Sequence, residues 1–198
     1  MDSKLKVNYV QNHINKSINI KNEILSNNKL LKSILMVSDV CLEAFKSGNK
    51  VIFAGNGGSA ADSQHIAAEF VSRFRFDRPA LPSIALSTDT SMLTAIGNDY
   101  GYKYIFSRQL AANSKPGDIF IGITTSGNSE NIIEAIQNCE SLGLTSVTLV
   151  GNNGGKVSNL ADHSICVPSS STELIQESHI MIGHIICGYV EDSMFQES

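Results

Sequence analysis

The 198-residue chain contains no tryptophan, few other aromatics and no long uninterrupted apolar run. The last of these excludes a membrane-spanning helix, which needs about 20 consecutive apolar residues. The first residues, MDSKLKVNYVQNHINKS, lack the apolar core of a secretory signal peptide. Basic charge is not in excess. Fifteen Lys and Arg stand against 19 Asp and Glu, and a formal net charge of −4 argues against a nucleic-acid-binding surface. The four cysteines, Cys41, Cys139, Cys166 and Cys187, show no CxxC spacing. They read as reduced, mostly buried thiols of a cytoplasmic protein, not as a disulfide frame or a zinc knot. No repeat, low-complexity segment or linker divides the chain. Its length suits one domain, residues 1–198, with a substantial core.

What is present is an alternation of helix and strand. Residues from about 4 to 48 carry helical periodicity. Ile14, Ile18 and Leu25 form one apolar stripe, and a second stripe runs from Leu30 to Phe45. Ser26-Asn27-Asn28 predicts a break between two helices. From residue 49 onward the pattern predicts strand Lys50–Ala54, helix Gly58–Phe74, strand Ser83–Leu86, and helices Thr90–Ile96 and Tyr104–Asn113. Strand Ile119–Thr124, helix Glu130–Leu142, strand Thr145–Val150, short helix Val157–Leu160, strand Ser164–Val167 and a long helix Thr172–Met194 follow. Buried apolar strands alternating with helices predict an α/β fold: an approximately five-stranded parallel sheet with helices on both faces. Ligands in such sheets bind above the C-terminal ends of the strands.

Two of those ends carry small polar clusters. The first is VIFAGNGGSAADSQHIAAEF, residues 51–70: a strand, a glycine-rich turn, then a helix. That order aims free helix N–H groups at whatever sits above the strand, which favours an anion. His65 and Glu69 then share a helix face at i, i+4. The turn is neither a Walker P-loop nor GxGxxG, so a nucleotide is not indicated. The second cluster, TTSGNS at 124–129, places four hydroxyls in six positions ahead of a helix. One such residue suffices for an N-cap, so the excess favours a phosphate cradle built from hydroxyls and backbone N–H groups. Two further segments stand out. In the C-terminal helix, TELIQESHIMIGHIICGYVED, Gln176, His179 and His184 interrupt an apolar segment and cluster in the first half. AIGNDYGY, with Asn98-Asp99, follows the second strand on the side where the loops converge.

GNGGS, HxxxE on the next helix, GND, an STSGNS-like loop and QExHxxxxH near the C-terminus occur here in one order and spacing. Together they resemble the phosphoheptose isomerases of the sugar-isomerase (SIS) domain superfamily, over about Lys29 to Val190. The resemblance implies conversion of D-sedoheptulose 7-phosphate to D-glycero-D-manno-heptose 7-phosphate, supplying a lipopolysaccharide, capsule or surface glycan. It implies that Asn56, Gly57, Gly58, Glu69, Asn98, Asp99 and Gln176 contact substrate. Thr124, Thr125, Ser126 and Ser129 would hold the phosphate. It implies one zinc ion per subunit on His65, Glu69, Gln176 and His184, with Glu69 and His184 as general base and acid. It also implies a cytoplasmic homotetramer with sites at subunit interfaces, free of nucleic acid and membrane.

Two positions depart from the family pattern. Thr124 replaces the usual Ser and keeps the hydroxyl. Leu174 stands where many members have Arg and removes a charge. Gln176 and His184 lie eight residues apart, a rise of about 12 Å on a straight helix. They share one metal only if both lean inward; otherwise neighbouring subunits contribute one each. Two other readings remain: a non-catalytic SIS regulator or adaptor, and an isomerase of another sugar phosphate. The adaptor relative lacks equivalents of the catalytic Glu and the last His, and this chain has both.

Overall fold

The computed structural model describes residues 3–196. Its elements in chain order are α1 (Ser3–Ser26), α2 (Asn28–Lys46), β1 (Val51–Gly55), α3 (Gly58–Val71), β2 (Ser83–Ala85) and α4 (Thr90–Asp99). A 3-10 turn (Tyr102–Tyr104), α5 (Ser107–Asn113), β3 (Ile119–Thr124), α6 (Glu130–Leu142) and β4 (Thr145–Gly151) come next. A second 3-10 turn (Val157–Asn159), β5 (His163–Val167) and α7 (Thr172–Phe195) complete the chain. The five strands form one sheet in the order β2-β1-β3-β4-β5, every pair parallel. This is the predicted fold class.

The central strands VIFAG and IFIGIT are buried at every residue. That is the condition of parallel strands covered on both faces, and it explains why they read as unbroken apolar runs. Side chains alternate between two cores. Phe53, Ile121 and Leu149 pack with α2, α3 and α7, whereas Ile52, Phe120 and Val150 pack under α5 and α6. Helix α1 lies outside this sandwich and docks on α7. The Glu177 carboxylate accepts from Ser17 Oγ at 2.6 Å and lies 3.5 Å from both His13 and Lys21. The apolar stripe of α1 is left exposed at Val7, Val10, Ile14, Ile18 and Leu25. The predicted break falls at Asn27, whose Oδ1 accepts from the Leu30 N–H at 3.1 Å and so caps α2. No helix among the described residues is long and apolar enough to cross a membrane. All four cysteines are free, and three are buried.

Most predicted boundaries fall within two residues of the observed ones; three differ more. Helix α3 stops at Val71, not Phe74. The N–H groups of Phe74 and Arg75 donate to the carboxylate of Glu191 on α7, at 2.9 and 2.8 Å. The Arg78 guanidinium takes the carbonyls of Glu69 and Phe70, at 2.9 and 2.7 Å. A continued helix would have used those N–H groups internally. Helix α4 runs on through Asn98 and Asp99, past the predicted end at Ile96. The predicted helix Tyr104–Asn113 is split: a 3-10 turn ends at Tyr104, and α5 begins only at Ser107.

Candidate active site

The strand ends of β1 and β3 deliver the two predicted cradles to the same end of the sheet. After β1, Gly57 adopts φ 56°, ψ −121°, a conformation that favours glycine, and becomes the N-cap of α3. No side chain caps that helix. After β3, the buried Thr124 hydroxyl pairs with that of Ser129 at 2.9 Å. Ser129 occupies the N-cap of α6, yet its hydroxyl caps nothing. The capping explanation for this serine therefore fails, and the helix N-terminus stays open toward the loop. Ser126 Oγ accepts from the Asn128 N–H at 3.2 Å. The loop is braced from behind. Gly127 (φ 66°) lies against the Gly154 carbonyl so closely that a Cβ could not fit. The N–H groups of Gly151 and Val157 donate to the carbonyls of Thr125 and Gly127, at 3.1 and 3.0 Å. A fixed ring of hydroxyls and amides over a helix N-terminus suits a phosphate.

The two cradles touch. Asn56 and Asn131, the second residue of α6, exchange reciprocal amide hydrogen bonds of 2.9 and 2.8 Å. The Tyr102 hydroxyl donates to Asn56 Oδ1 at 3.0 Å. Neither Asn131 nor Tyr102 is legible as a site residue in the sequence, because each contact spans more than forty residues. Asn98 and Asp99 are exposed at the end of α4 and hydrogen-bond to each other at 2.8 Å, not to either loop.

The second half of the site lies between α3 and α7. These helices run side by side in the same direction: Gly58 meets the Gln176 amide, Gly183 meets Ile66, and His65 meets His184. A Cβ at Gly183 would collide with Ile66, so that glycine permits the close approach, whereas one at Gly58 would displace the Gln176 amide. His65 Nε2 lies 3.0 Å from Glu69 Oε1 and 3.3 Å from His184 Nε2. The three donor atoms fall within 4.8 Å of one another. Zinc bonds of about 2.0–2.1 Å set tetrahedral ligand atoms about 3.3 Å apart. Two imidazole nitrogens and a carboxylate oxygen converging at these separations fit such an ion. Gln176 does not join them. Its amide lies against Gly58, the first residue of α3, and Gly58 precedes His65 by a backbone rise of about 10 Å.

Several residues outside the motifs support the cluster. The Phe74 ring stacks on His184, with centroids 5.4 Å apart and planes at 28°. Its backbone is held by Glu191, which is fully buried and paired with the almost fully buried Arg78 at 2.9 Å. Burial alone would raise the Glu191 carboxyl. The N–H groups of Phe74 and Arg75 and the Arg78 guanidinium outweigh it and hold the carboxyl below its usual range. His179, fully buried, bonds the Val150 carbonyl at 3.2 Å, so it is a core histidine. Burial brings it down to about 4, against the smaller opposing effect of the Val150 carbonyl. Its Nδ1 has no partner among the described residues, nor has the buried Oδ2 of Asp62, one turn before His65. Burial raises the Asp62 carboxyl, and His65 partly opposes it. Leu174 is 5% exposed, so the departure from arginine puts an apolar side chain into the core.

A family model described as the SIS domain matches residues 13–151. A phosphoheptose isomerase from Aneurinibacillus thermoaerophilus is 59% identical over 188 residues, 95% of this chain and 95% of the relative. One from Sulfurimonas denitrificans is 56% identical over 187 residues, 94% of this chain and 96% of that protein. Among solved structures, a phosphoheptose isomerase from Francisella tularensis superposes with a TM-score of 0.89 at 35% identity, covering 97% of this chain and all of that one.

Proposed function

The chain belongs to the phosphoheptose isomerases of the SIS-domain family and is an aldose–ketose isomerase acting between D-sedoheptulose 7-phosphate and D-glycero-D-manno-heptose 7-phosphate in heptose biosynthesis; on that premise we propose how its residues divide the work. The observation that carries this reading is the convergence of Glu69, His65 and His184 at 3.0 and 3.3 Å between α3 and α7.

Thr124, Thr125, Ser126 and Ser129 hold the phosphate at the open N-terminus of α6, while Asn56, Gly57 and Gly58 meet the sugar chain. Asn98 and Asp99, exposed on their own chain, contact substrate only once the full site is assembled. Isomerisation moves one proton between C1 and C2 and another between the two oxygens. Glu69 is the general base at carbon: Oε1 faces His65, and Oε2 is the oxygen that takes and returns the proton. His184, stacked on Phe74, is the acid–base partner at the substrate oxygens; its Nε2 faces His65, so the proton passes at Nδ1, the other ring nitrogen.

His65, Glu69 and His184 would hold a zinc ion together with Gln176. When bound, such an ion stabilises negative charge developing on the substrate oxygens. Gln176 completes the set from its own chain if its side chain turns toward the cluster, and otherwise from a neighbouring subunit of a homotetramer. The exposed apolar stripe of α1 supports assembly, and the four free cysteines support a cytoplasmic location.

The test is turnover of sedoheptulose 7-phosphate by metal-depleted and zinc-restored protein, with elemental analysis of both. Turnover restored in step with zinc is the expected result. Full activity without metal would remove the metal site and leave the isomerase reading. No turnover in either form would remove the catalytic roles assigned to Glu69 and His184.

A further inference from the structure

Asn56 Oδ1 is a meeting point of three segments far apart in the chain. It accepts from Asn131 Nδ2 at 2.8 Å and from the Tyr102 hydroxyl at 3.0 Å. Its own amide donates to Asn131 Oδ1 at 2.9 Å. A primary amide carries two N–H donors and an oxygen with two lone pairs. Both lone pairs of Asn56 are therefore taken, one N–H is engaged, and a single N–H is left. Asn131 is 3% exposed, in the first turn of α6 directly behind the phosphate loop. Asn56, Tyr102, Ser129 and Asn131 all line one open cleft of about 420 Å³. Ser129 brings the phosphate loop to that cleft, and Asn56 brings the glycine turn.

We propose that Asn131 and Tyr102 are positioning residues for the isomerase reaction: they fix the rotamer of Asn56 so that its one remaining N–H points at the sugar chain, at a set separation from the phosphate loop. The physical reason is entropic. An unrestrained asparagine side chain must give up its rotamer freedom each time substrate binds. A reciprocal amide pair fixed in the folded protein has already given it up, so the contact is preorganised. The same pair ties the turn after β1 to the start of α6, so the distance from phosphate to sugar contact does not drift. This role rests on the proposed function, in which Asn56 meets the sugar chain and the 124–129 loop holds the phosphate.

The experiment uses the full-length protein and its variants Asn56→Ala, Asn131→Ala, Asn131→Asp, Tyr102→Phe and the Asn56→Ala/Asn131→Ala double. It measures kcat and KM for sedoheptulose 7-phosphate, competitive inhibition by inorganic phosphate, and Tm. Losing a buried hydrogen bond predicts a KM raised roughly 5- to 20-fold in both Asn131 variants and a smaller rise in Tyr102→Phe, with kcat little changed. In Asn131→Ala and Tyr102→Phe, inhibition by inorganic phosphate, which reads the loop alone, should stay within about twofold of wild type. The double variant should be no worse than Asn56→Ala, because Asn131 acts only through Asn56.

Multiplying effects in the double variant would overturn the proposal. So would phosphate inhibition weakened by the same factor as KM, which would assign Asn131 to the loop itself. Tyr102→Phe is a substitution at an exposed side chain and keeps the test alive if the Asn131 variants fold poorly; an unchanged KM in that variant also counts against the proposal. Wild-type protein that turns over sedoheptulose 7-phosphate without competitive inhibition by phosphate would overturn the placing of the phosphate on the 124–129 loop, and this role with it.

Discussion

Replacing Glu191 by alanine tests whether one buried carboxylate holds the catalytic end of α3 in place. Glu191 is 0% exposed and accepts from the N–H groups of Phe74 and Arg75 and from Arg78 Nε, at 2.9, 2.8 and 2.9 Å. Arg78, 2% exposed, spends its other N–H groups on the carbonyls of Glu69, Phe70 and Pro79. Removing the carboxylate leaves a buried guanidinium without its counter-charge, which costs about 3–5 kcal/mol. A chain of this length loses roughly 2–4 °C of Tm per kcal/mol, so the melt should fall by roughly 6–20 °C. The assay is calorimetric or circular-dichroism melting at fixed protein concentration.

The difference also has a pH signature. The folded carboxyl lies below its unfolded value. Its contribution is therefore complete above about pH 4.3 and is lost as the pH falls through the folded value. The gap between wild type and variant should be constant from pH 6 to 8 and shrink in acid. Phe74 should also come away from His184, so kcat should fall more than KM rises. Removing both charges, as Glu191→Leu with Arg78→Met, should recover much of the lost stability, because no charge is then stranded. A Tm change under about 2 °C, or a double variant no more stable than the single, would refute the reasoning.

Three further outcomes are expected. Glu69→Gln keeps shape but not basicity, and turnover should drop by about 10²–10⁴ with the fold intact by circular dichroism; near-normal turnover would remove its role as base. Ser126→Ala with Ser129→Ala should raise KM for the sugar phosphate more than it lowers kcat, by an amount on the order of 1–3 kcal/mol in binding. An unchanged KM would mean the loop does not hold the phosphate. His179, brought by burial from 6.5 to about 4, binds fewer protons folded than unfolded. Stability should therefore decline as the pH falls from about 6.5 toward 4, by roughly 3 kcal/mol from this group. Urea unfolding of His179→Phe at pH 7, 6 and 5 should show a flatter decline than wild type; equal slopes would contradict the assignment.

The features legible in the sequence are those encoded by neighbours. Unbroken apolar runs and period-3.6 patterns point to five strands and their helices, because a strand covered on both faces is apolar at every position and a helix repeats one buried stripe. The glycine turn after β1 and the hydroxyl cluster after β3 are visible in the sequence because each is built from consecutive residues. His65 and Glu69 could be paired because i and i+4 meet on any helix. Other features depended on contacts between distant segments. Helix α3 ends at Val71 because of Glu191, 120 positions later, and only that early end turns Phe74 onto His184. His184 meets His65 because glycine at 183 lets α7 approach Ile66, and the same parallel docking carries Gln176 to Gly58 instead of to the cluster. Asn131 reads as an ordinary residue in the first turn of α6 until the sheet brings the ends of β1 and β3 together and Asn56 comes within hydrogen-bonding reach. A hydrogen bond acts over about 3 Å, whatever the separation along the chain. The sequence therefore determined the secondary elements and the residue types of the site, while packing decided which of those residues touch.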